Sequence, residues 1–349
     1  MDDLADRSVL AIDFGGTQIR AALITPDLAV HARRAVPTRD EEGVEAVVAR
    51  ICAVAAEVRD DARASALPPP AGVGISAPGP LDPWKGVVMT PPNLAGWRDV
   101  PLGAQVARSL DLPTFVERDT NVAVLAEWRY GAARGARTVI YVTVSTGIGG
   151  GIIVDGRPLI GPDGTAGEIG HIVVELDGPR CGCGRIGHVE AIASGTALAR
   201  DAQATIERGG DGRLAELAAA GEPVDAALLA RAADEGDTAA AELLSHAWTA
   251  IGAMCASLVN VLNPDVIVIG GSIAEHRPEL LAAVRAEIQR RAFAVPASHA
   301  RVEPAALKDD VSLIGTLPIV IERLADPAFA GGSHRPRMAA PNQQGALRP

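Results

Sequence analysis

Four residues could close a metal site: His171, Cys181, Cys183 and His188, spaced His-x9-Cys-x-Cys-x4-His. Two sulfurs and two imidazoles suit the four tetrahedral positions of Zn2+. Glu168 comes just before the cluster, in Gly167-Glu168-Ile169-Gly170-His171, and Glu190 just after it. Acid, imidazole and metal ligands thus share one short stretch. A hydrophobic core has no need of such a set. A loop folded around zinc, holding polar groups for a ligand, is the expectation.

Two glycine-rich segments carry a second kind of chemistry. Asp13-Phe14-Gly15-Gly16-Thr17 follows the apolar run Val9–Ile12. Glycines let backbone approach a phosphate, the Thr17 hydroxyl adds a donor, and Asp13 at the strand end could hold Mg2+ through water. Taken alone, Gly-Gly at a strand end is ordinarily a tight turn. Ser145-Thr146-Gly147-Ile148-Gly149-Gly150-Gly151 repeats the design after another apolar run, and its bland alternative is a hairpin. Together they weigh more than either does, because a nucleoside triphosphate needs donors from both sides.

The elements that must position these groups alternate between strand and helix. The spacing predicts strands at 9–14 and 19–25 joined as a hairpin, an amphipathic helix over 43–66 stopped by Pro68-Pro69-Pro70, and a strand at 72–77. A long Pro/Gly/Asn/Trp loop over 81–100 follows, then a helix at 101–110, a strand at 114–117 and a helix at 121–130. A strand at 138–145, a turn at 146–151 and a strand at 151–154 repeat the opening about 130 residues on, so two related halves are expected. Helices at 191–206, 224–262, 278–291 and 312–325 and a strand at 264–271 complete the reading. Residues 327–349 lack apolar periodicity and read as a disordered tail.

Bulk properties exclude several classes. The 349 residues suffice for two domains. A formal net charge of −11 argues against holding a nucleic-acid backbone. No uninterrupted apolar run reaches membrane length, and the start MDDLADRSVL shows no secretion signal, so a cytoplasmic protein without membrane or nucleic-acid partners is expected. Four cysteines make no disulfide framework, and Cys52 and Cys255 read as small buried hydrophobes.

The motifs together resemble the ROK family of sugar kinases, within the actin-like ATPase and hexokinase superfamily, over roughly residues 8–325. The resemblance rests on DFGGT at 13–17, APGP at 77–80, PPNLAGW at 91–97, ERDTN at 117–121, VSTGIGGG at 144–151, GEIGH at 167–171, CGCGRIGHVE at 181–190 and IGGS at 269–272. Of these, the zinc-loop spacing is the specific signal. Among ROK proteins the chain looks most like the ATP-dependent glucokinases. That implies an α/β fold of two actin-like (ribonuclease H-like) lobes with a cleft between them and a small zinc loop. The lobes would be 1–117, completed by 312–325, and 118–311 with the zinc loop at 171–190, leaving 326–349 as the tail.

The resemblance also assigns roles. Asp119 would be the general base for a hexose 6-hydroxyl attacking ATP, although Asp-Thr-Asn at a strand-to-helix junction also reads as a helix cap. Gly79, Asn93, Arg118, Asp119, Glu168, His171 and Glu190 would bind the sugar, with Asn93 equally readable as a turn residue. Asp13, Gly15, Gly16, Thr17, Thr146 and Gly147 would hold Mg2+ and phosphates, and Gly270 and Gly271 would line the adenosine pocket. His171, Cys181, Cys183 and His188 would bind a structural Zn2+, with His171 shared between metal and sugar. Two departures stand out: His188 where the family usually has a third cysteine, and Arg118 where it usually has asparagine. The Arg118 side chain could contact hydroxyls, act on Asp119 or turn to solvent. The expected activity is glucose to glucose 6-phosphate, with another hexose as the alternative and a sugar-sensing regulator as the rival of a different class. A dimer or tetramer is the family expectation.

Overall fold

The computed structural model describes residues 7–326 and Phe329, so the expected tail lies almost wholly outside the described residues. The described chain falls into two compact units. One takes in the chain up to Val122, Ile160–Ala166 and the chain from Ser312; the other takes in Ala123–Leu159 and Gly167–Val311.

The first unit is built on a five-stranded sheet. β1 (Ser8–Phe14) and β2 (Gln18–Ile24) form an antiparallel hairpin, and β3 (Val30–Pro37) adds an antiparallel edge. β4 (Pro70–Ala77) lies parallel to β1 on the other side, after a ladder-length helix, α1 (Val44–Ala64). The α1 face Val47, Val48, Ile51, Val54, Ala55, Val58 and Ala62 recurs at helical spacing and is buried, as an amphipathic helix on a sheet requires. A small ribbon of β5 (Leu81–Asp82) and β6 (Val87–Val88) then leads to α2 (Leu102–Leu110). β7 (Thr114–Arg118) joins β4 in parallel, and α3 (Asp119–Arg129) begins at its end. The β3 strand, with exposed Arg33, Arg34 and Ala35, had no apolar signature, which is normal for a charged edge strand.

The second unit repeats this plan. Its sheet runs β10-β9-β8-β11-β12, against β3-β2-β1-β4-β7 in the first, with two antiparallel and then two parallel pairings. The strands are β8 (Val139–Val144), β9 (Ile148–Val154), β10 (Arg157–Pro158), β11 (Val266–Gly270) and β12 (Arg301–Pro304). The expected turn at 146–151 is shorter, because β9 begins at Ile148 and takes in the glycines. Between β10 and β11 run the metal loop and α4 (Glu190–Ala193), α5 (Gly195–Glu207), α6 (Arg213–Ala219), α7 (Ala226–Asp234) and α8 (Thr238–Leu262). α9 (Ser272–His276), α10 (Glu279–Arg291) and α11 (Ala294–Ala297) follow β11. α8 is long and apolar enough to cross a membrane, yet most of that stretch is buried in this unit's core, with Trp248, Ile251, Met254 and Cys255 inside.

The chain returns to the first unit with α12 (Val311–Ile314) and α13 (Thr316–Ala325), and α13 packs on β4, β1 and β7. A buried ion pair fixes it there. Arg323 bonds the Glu117 carboxylate, and its other nitrogen donates to Val116 O at 3.0 Å.

Candidate functional site

In the first unit the candidate residues gather where β1, β4 and β7 end. Glu117, Arg118, Thr120 and Asn121 are buried, while Asp119 between them is exposed. The buried neighbours satisfy one another. Glu117 Oε1 accepts the Arg118 N–H at 2.8 Å and Asn121 Nδ2 at 3.0 Å. Asp119 Oδ1 accepts the adjacent Thr120 N–H at 2.7 Å, so the carboxylate engages the helix start as well as solvent. Catalytic and capping readings are both compatible with that position.

Arg118 does not turn to solvent: it is only 4% exposed. Its Nη2 donates to Ala166 O at 2.5 Å and lies 3.4 Å from Asn121 Oδ1. Its Cδ lies over Gly79, where an added Cβ would come within 3.0 Å. Arg118 therefore ties the end of β7 to the segment that leads, two residues later, to Glu168.

The Gly15–Thr17 turn is held from both sides. The Gly15 N–H donates to Gln18 O at 2.9 Å, and the Thr38 hydroxyl donates to Gly15 O at 2.6 Å. Gly16 and Thr17 are left exposed at the tip. Asn93 is exposed beside Gly16, whose added Cβ would lie 3.9 Å from Asn93 O. Buried Leu94 and Trp97 anchor that Pro-rich loop, with the Trp97 ring packed at a tilt against Phe14, centroids 4.9 Å apart. Asp13 is paired: Arg20 Nε and Nη2 reach its Oδ2 at 2.9 and 2.6 Å. Sequence reasoning missed Arg20, although its place opposite Asp13 in a hairpin linked by three residues follows from the register.

In the second unit the turn Thr146–Gly147 lies by the start of α9. The Ser145 and Ser272 hydroxyls are 2.9 Å apart. Gly271 has φ +96°, and a Cβ there would sit 2.5 Å from Val144 O, so this turn passes β8 at a distance only glycine allows. Thr146, Gly147, Gly270 and Gly271 thus come together in one unit. Short α9 directly follows the glycines, ahead of the expected helix.

The GEIGH segment is pressed onto β9. Gly170 lies against Ile148 O, where a Cβ would fall at 2.0 Å, and Ile169 fills the space over Gly150. Glycines 150 and 170 therefore serve packing. Their short helix presents Glu168 and His171, with His171 Nε2 4.0 Å from Glu168 Oε2 and Nδ1 3.8 Å from Cys181 Sγ.

The four expected metal ligands converge. One donor atom from each of His171, Cys181, Cys183 and His188 lies within 4.8 Å of the others. Cys183 Sγ is 3.4 Å from His188 Nδ1, and the two imidazole centroids are 5.0 Å apart. Tetrahedral zinc with bonds of about 2.3 Å to S and 2.0–2.1 Å to N sets S···N near 3.6 Å. The observed 3.4 and 3.8 Å bracket that value, so the cluster fits zinc. The loop is preformed by backbone bonds: Cys181 N–H to Arg185 O at 2.7 Å, and Gly184 N–H to Cys181 O at 2.9 Å. Burial pushes the Cys181 thiol up to about 11, and burial, with His171 beside it, holds His188 below its ordinary value. A bound cation reverses the first effect, since thiolate is the ligand form, and the second already favours the neutral imidazole a metal needs.

Glu190 is placed between two features. Its Oε2 accepts the Ile148 N–H at 3.0 Å, and its Oε1 lies 3.7 Å from Cys181 Sγ.

Two units that repeat one mixed-sheet plan, each with a glycine turn after its first strand, and a Cys/His loop that fits zinc define an α/β protein built for a ligand rather than a scaffold. The ROK family profile matches residues 9–323, and the chain belongs to that family. It is 32% identical to a glucokinase of Thermotoga maritima over 316 residues, 90% of this chain and 98% of the relative. It is 35% identical to an N-acetylmannosamine kinase of Escherichia fergusonii over 266 residues, 76% of this chain and 83% of the relative. The fold is similar to the crystal structure of a ROK hexokinase from Thermus thermophilus, with TM-score 0.77 and 33% identity, covering 91% of this chain and 99% of that one.

Proposed function

We propose that this chain phosphorylates a hexose at its 6-hydroxyl with ATP, and that the hexose is glucose. The observation that carries the reading is Asp119: one exposed carboxylate at the end of β7, among buried neighbours whose hydrogen bonds fix the strand. The relatives named as glucokinases support it.

In the reaction Asp119 accepts the proton of the 6-hydroxyl as that oxygen bonds to the γ-phosphorus. The bond from the γ-phosphorus to its bridging oxygen breaks, and ADP leaves. Gly15 closes the first turn through its bond to Gln18 O, and backbone N–H groups of Gly16 and Thr17 and of Thr146 and Gly147 hold the phosphate oxygens. Glu168, His171, Glu190 and Asn93 orient the sugar, since carboxylate, imidazole and amide all pair with hydroxyls. Mg2+, when bound, offsets charge on the phosphate oxygens; Asp13 is the residue that would hold it, using the carboxylate it shares with Arg20. His171, Cys181, Cys183 and His188 would hold zinc, which rigidifies the loop.

A second reading keeps the chemistry and changes the sugar. Arg118 occupies the position before the base, and an N-acetylmannosamine kinase is among the relatives. A coupled assay for ADP release across glucose, mannose, N-acetylglucosamine, N-acetylmannosamine, fructose and allose separates the two. Preference for glucose supports the first reading, another winner the second, and no turnover with any sugar refutes both.

A further inference from the structure

The segment that follows the last metal ligand is bonded to the phosphate turn at two separate places. His188 leads directly into α4, whose first residue, Glu190, accepts the Ile148 N–H at 3.0 Å. The same carboxylate fills the space over Gly147, where an added Cβ would lie 2.8 Å from Oε2. Five residues on, the start of α5 grips the other side of the turn. The Gly195 N–H donates to Ser145 O at 2.8 Å, and Thr196 gives its N–H and hydroxyl to Thr146 O at 3.2 and 3.0 Å. The Ser194 hydroxyl caps α5 by accepting the Ala197 N–H at 3.2 Å, so this start is itself fixed.

The carboxylate's other oxygen faces Cys181 Sγ at 3.7 Å. Glu190 thus stands between a metal ligand and the backbone of the phosphate turn, all inside one compact unit. A bond from a charged carboxylate to a buried N–H is among the stronger ones a protein makes. Its strength depends on where the carboxylate sits: metal would hold His188, two residues before Glu190, and would turn the Cys181 S–H donor into a thiolate, so that the carboxylate leans on the Ile148 N–H.

We infer that Glu190 is a positioning residue through which metal in the Cys/His loop sets the order of the Thr146–Ile148 turn, so that zinc and nucleotide bind cooperatively. The inference rests on the proposed nucleotide role of that turn for its second half only. Coupling of this kind is reciprocal: nucleotide must tighten zinc by the same factor as zinc tightens nucleotide.

The test reads the turn directly, by hydrogen exchange of the Ile148 amide in zinc-loaded protein and after zinc removal. The expected result is at least tenfold faster exchange without zinc, with peptides of β11 and α8 unchanged. In zinc-loaded Glu190→Ala the Ile148 amide should exchange tenfold faster than in the zinc-loaded parent. Glu190→Gln, which keeps an acceptor oxygen, should restore most of the protection. This comparison needs no metal-free protein and stands even if stripping zinc unfolds the loop. Equal exchange at Ile148 with and without zinc overturns the inference, as does Glu190→Ala that binds one zinc and keeps full protection. Titration with a non-hydrolysable ATP analogue then reads the cooperativity, with about tenfold weaker binding expected after zinc removal. Unchanged affinity overturns the cooperative half. No analogue binding to either form counts against the kinase reading instead, while exchange at Ile148 still decides the link between zinc and the turn.

Discussion

Replacing Arg323 with methionine should be among the most damaging single changes in the first unit. Arg323 is 7% exposed and Glu117 1%, so their pairing is closed to water. Among the described residues, the substitution leaves the Glu117 charge with the Arg118 N–H and Asn121 Nδ2 as partners. It also removes the donor to Val116 O. Breaking a buried pair from one side costs about 3–5 kcal/mol, and the orphaned carbonyl accounts for roughly 1 of these. At about 2–4 °C per kcal/mol, calorimetry should show the first unit melting roughly 6–20 °C lower. The double variant Arg323→Met with Glu117→Gln should recover about 2 kcal/mol of the summed losses, because the buried charge is then gone. A melting shift under 2 °C for Arg323→Met, or strict additivity in the cycle, would refute the reasoning.

Asp119→Asn should lower kcat by roughly 10²–10⁴ while sugar binding, followed by calorimetric titration, persists; near-normal turnover would remove the general base. Metal analysis of chelator-free protein should find about one zinc per chain, and Cys183→Ala should lose most of it, in keeping with a four-ligand site. Gly271→Ala should destabilise the second unit by about 1–3 kcal/mol in urea unfolding, because its φ and the Val144 carbonyl leave no room for Cβ. Asp237 caps α8 and accepts the Leu214 N–H at 2.8 Å; burial opposes its ionised form, but the Leu214, Ala240 and Ala239 N–H groups outweigh it and hold its carboxyl below 3.8. Asp237→Ala should therefore cost about 1–3 kcal/mol at neutral pH. A lowered folded value means stability that is fully present above 3.8 and is lost as pH falls below 3.8 through the folded value, so the gap between parent and variant should narrow in acid; a gap that does not narrow as pH drops below 3.8 would contradict the assignment.

The chemistry of this chain was legible where it is local in sequence. His171, Cys181, Cys183 and His188 lie on one loop, so their spacing alone carries the ligand set. The two glycine turns were legible because each interrupts an apolar strand. The hairpin of β1 and β2 followed from its short link. Other features depend on distant parts of the chain. Arg323 meets Glu117 across 206 positions, and nothing near either residue announces it. From sequence Arg118 could contact hydroxyls, act on Asp119 or turn to solvent, and only the fold reveals that Ala166 O receives it. Gly150, read from sequence as part of a phosphate turn or a hairpin, is with Gly170 the clearance that lets a short helix sit on a strand. Strand β12 was missed because Arg301–Pro304 is a short edge that alternates polar residues.

The first unit is assembled from three stretches of chain, the last being α13. A ribosome finishes β7 long before it makes α13. About 200 residues separate them, which at 5–20 residues per second is roughly 10–40 s. Until then Glu117 waits without Arg323, and the face of β4 that α13 covers stays bare. The second unit's long stretch, Gly167–Val311, is complete before α13 appears. Birth order and chain order therefore diverge: the half that begins first is the half that must be kept from sticking to other chains, and a stop codon shortly before Thr316 would leave it unfinished.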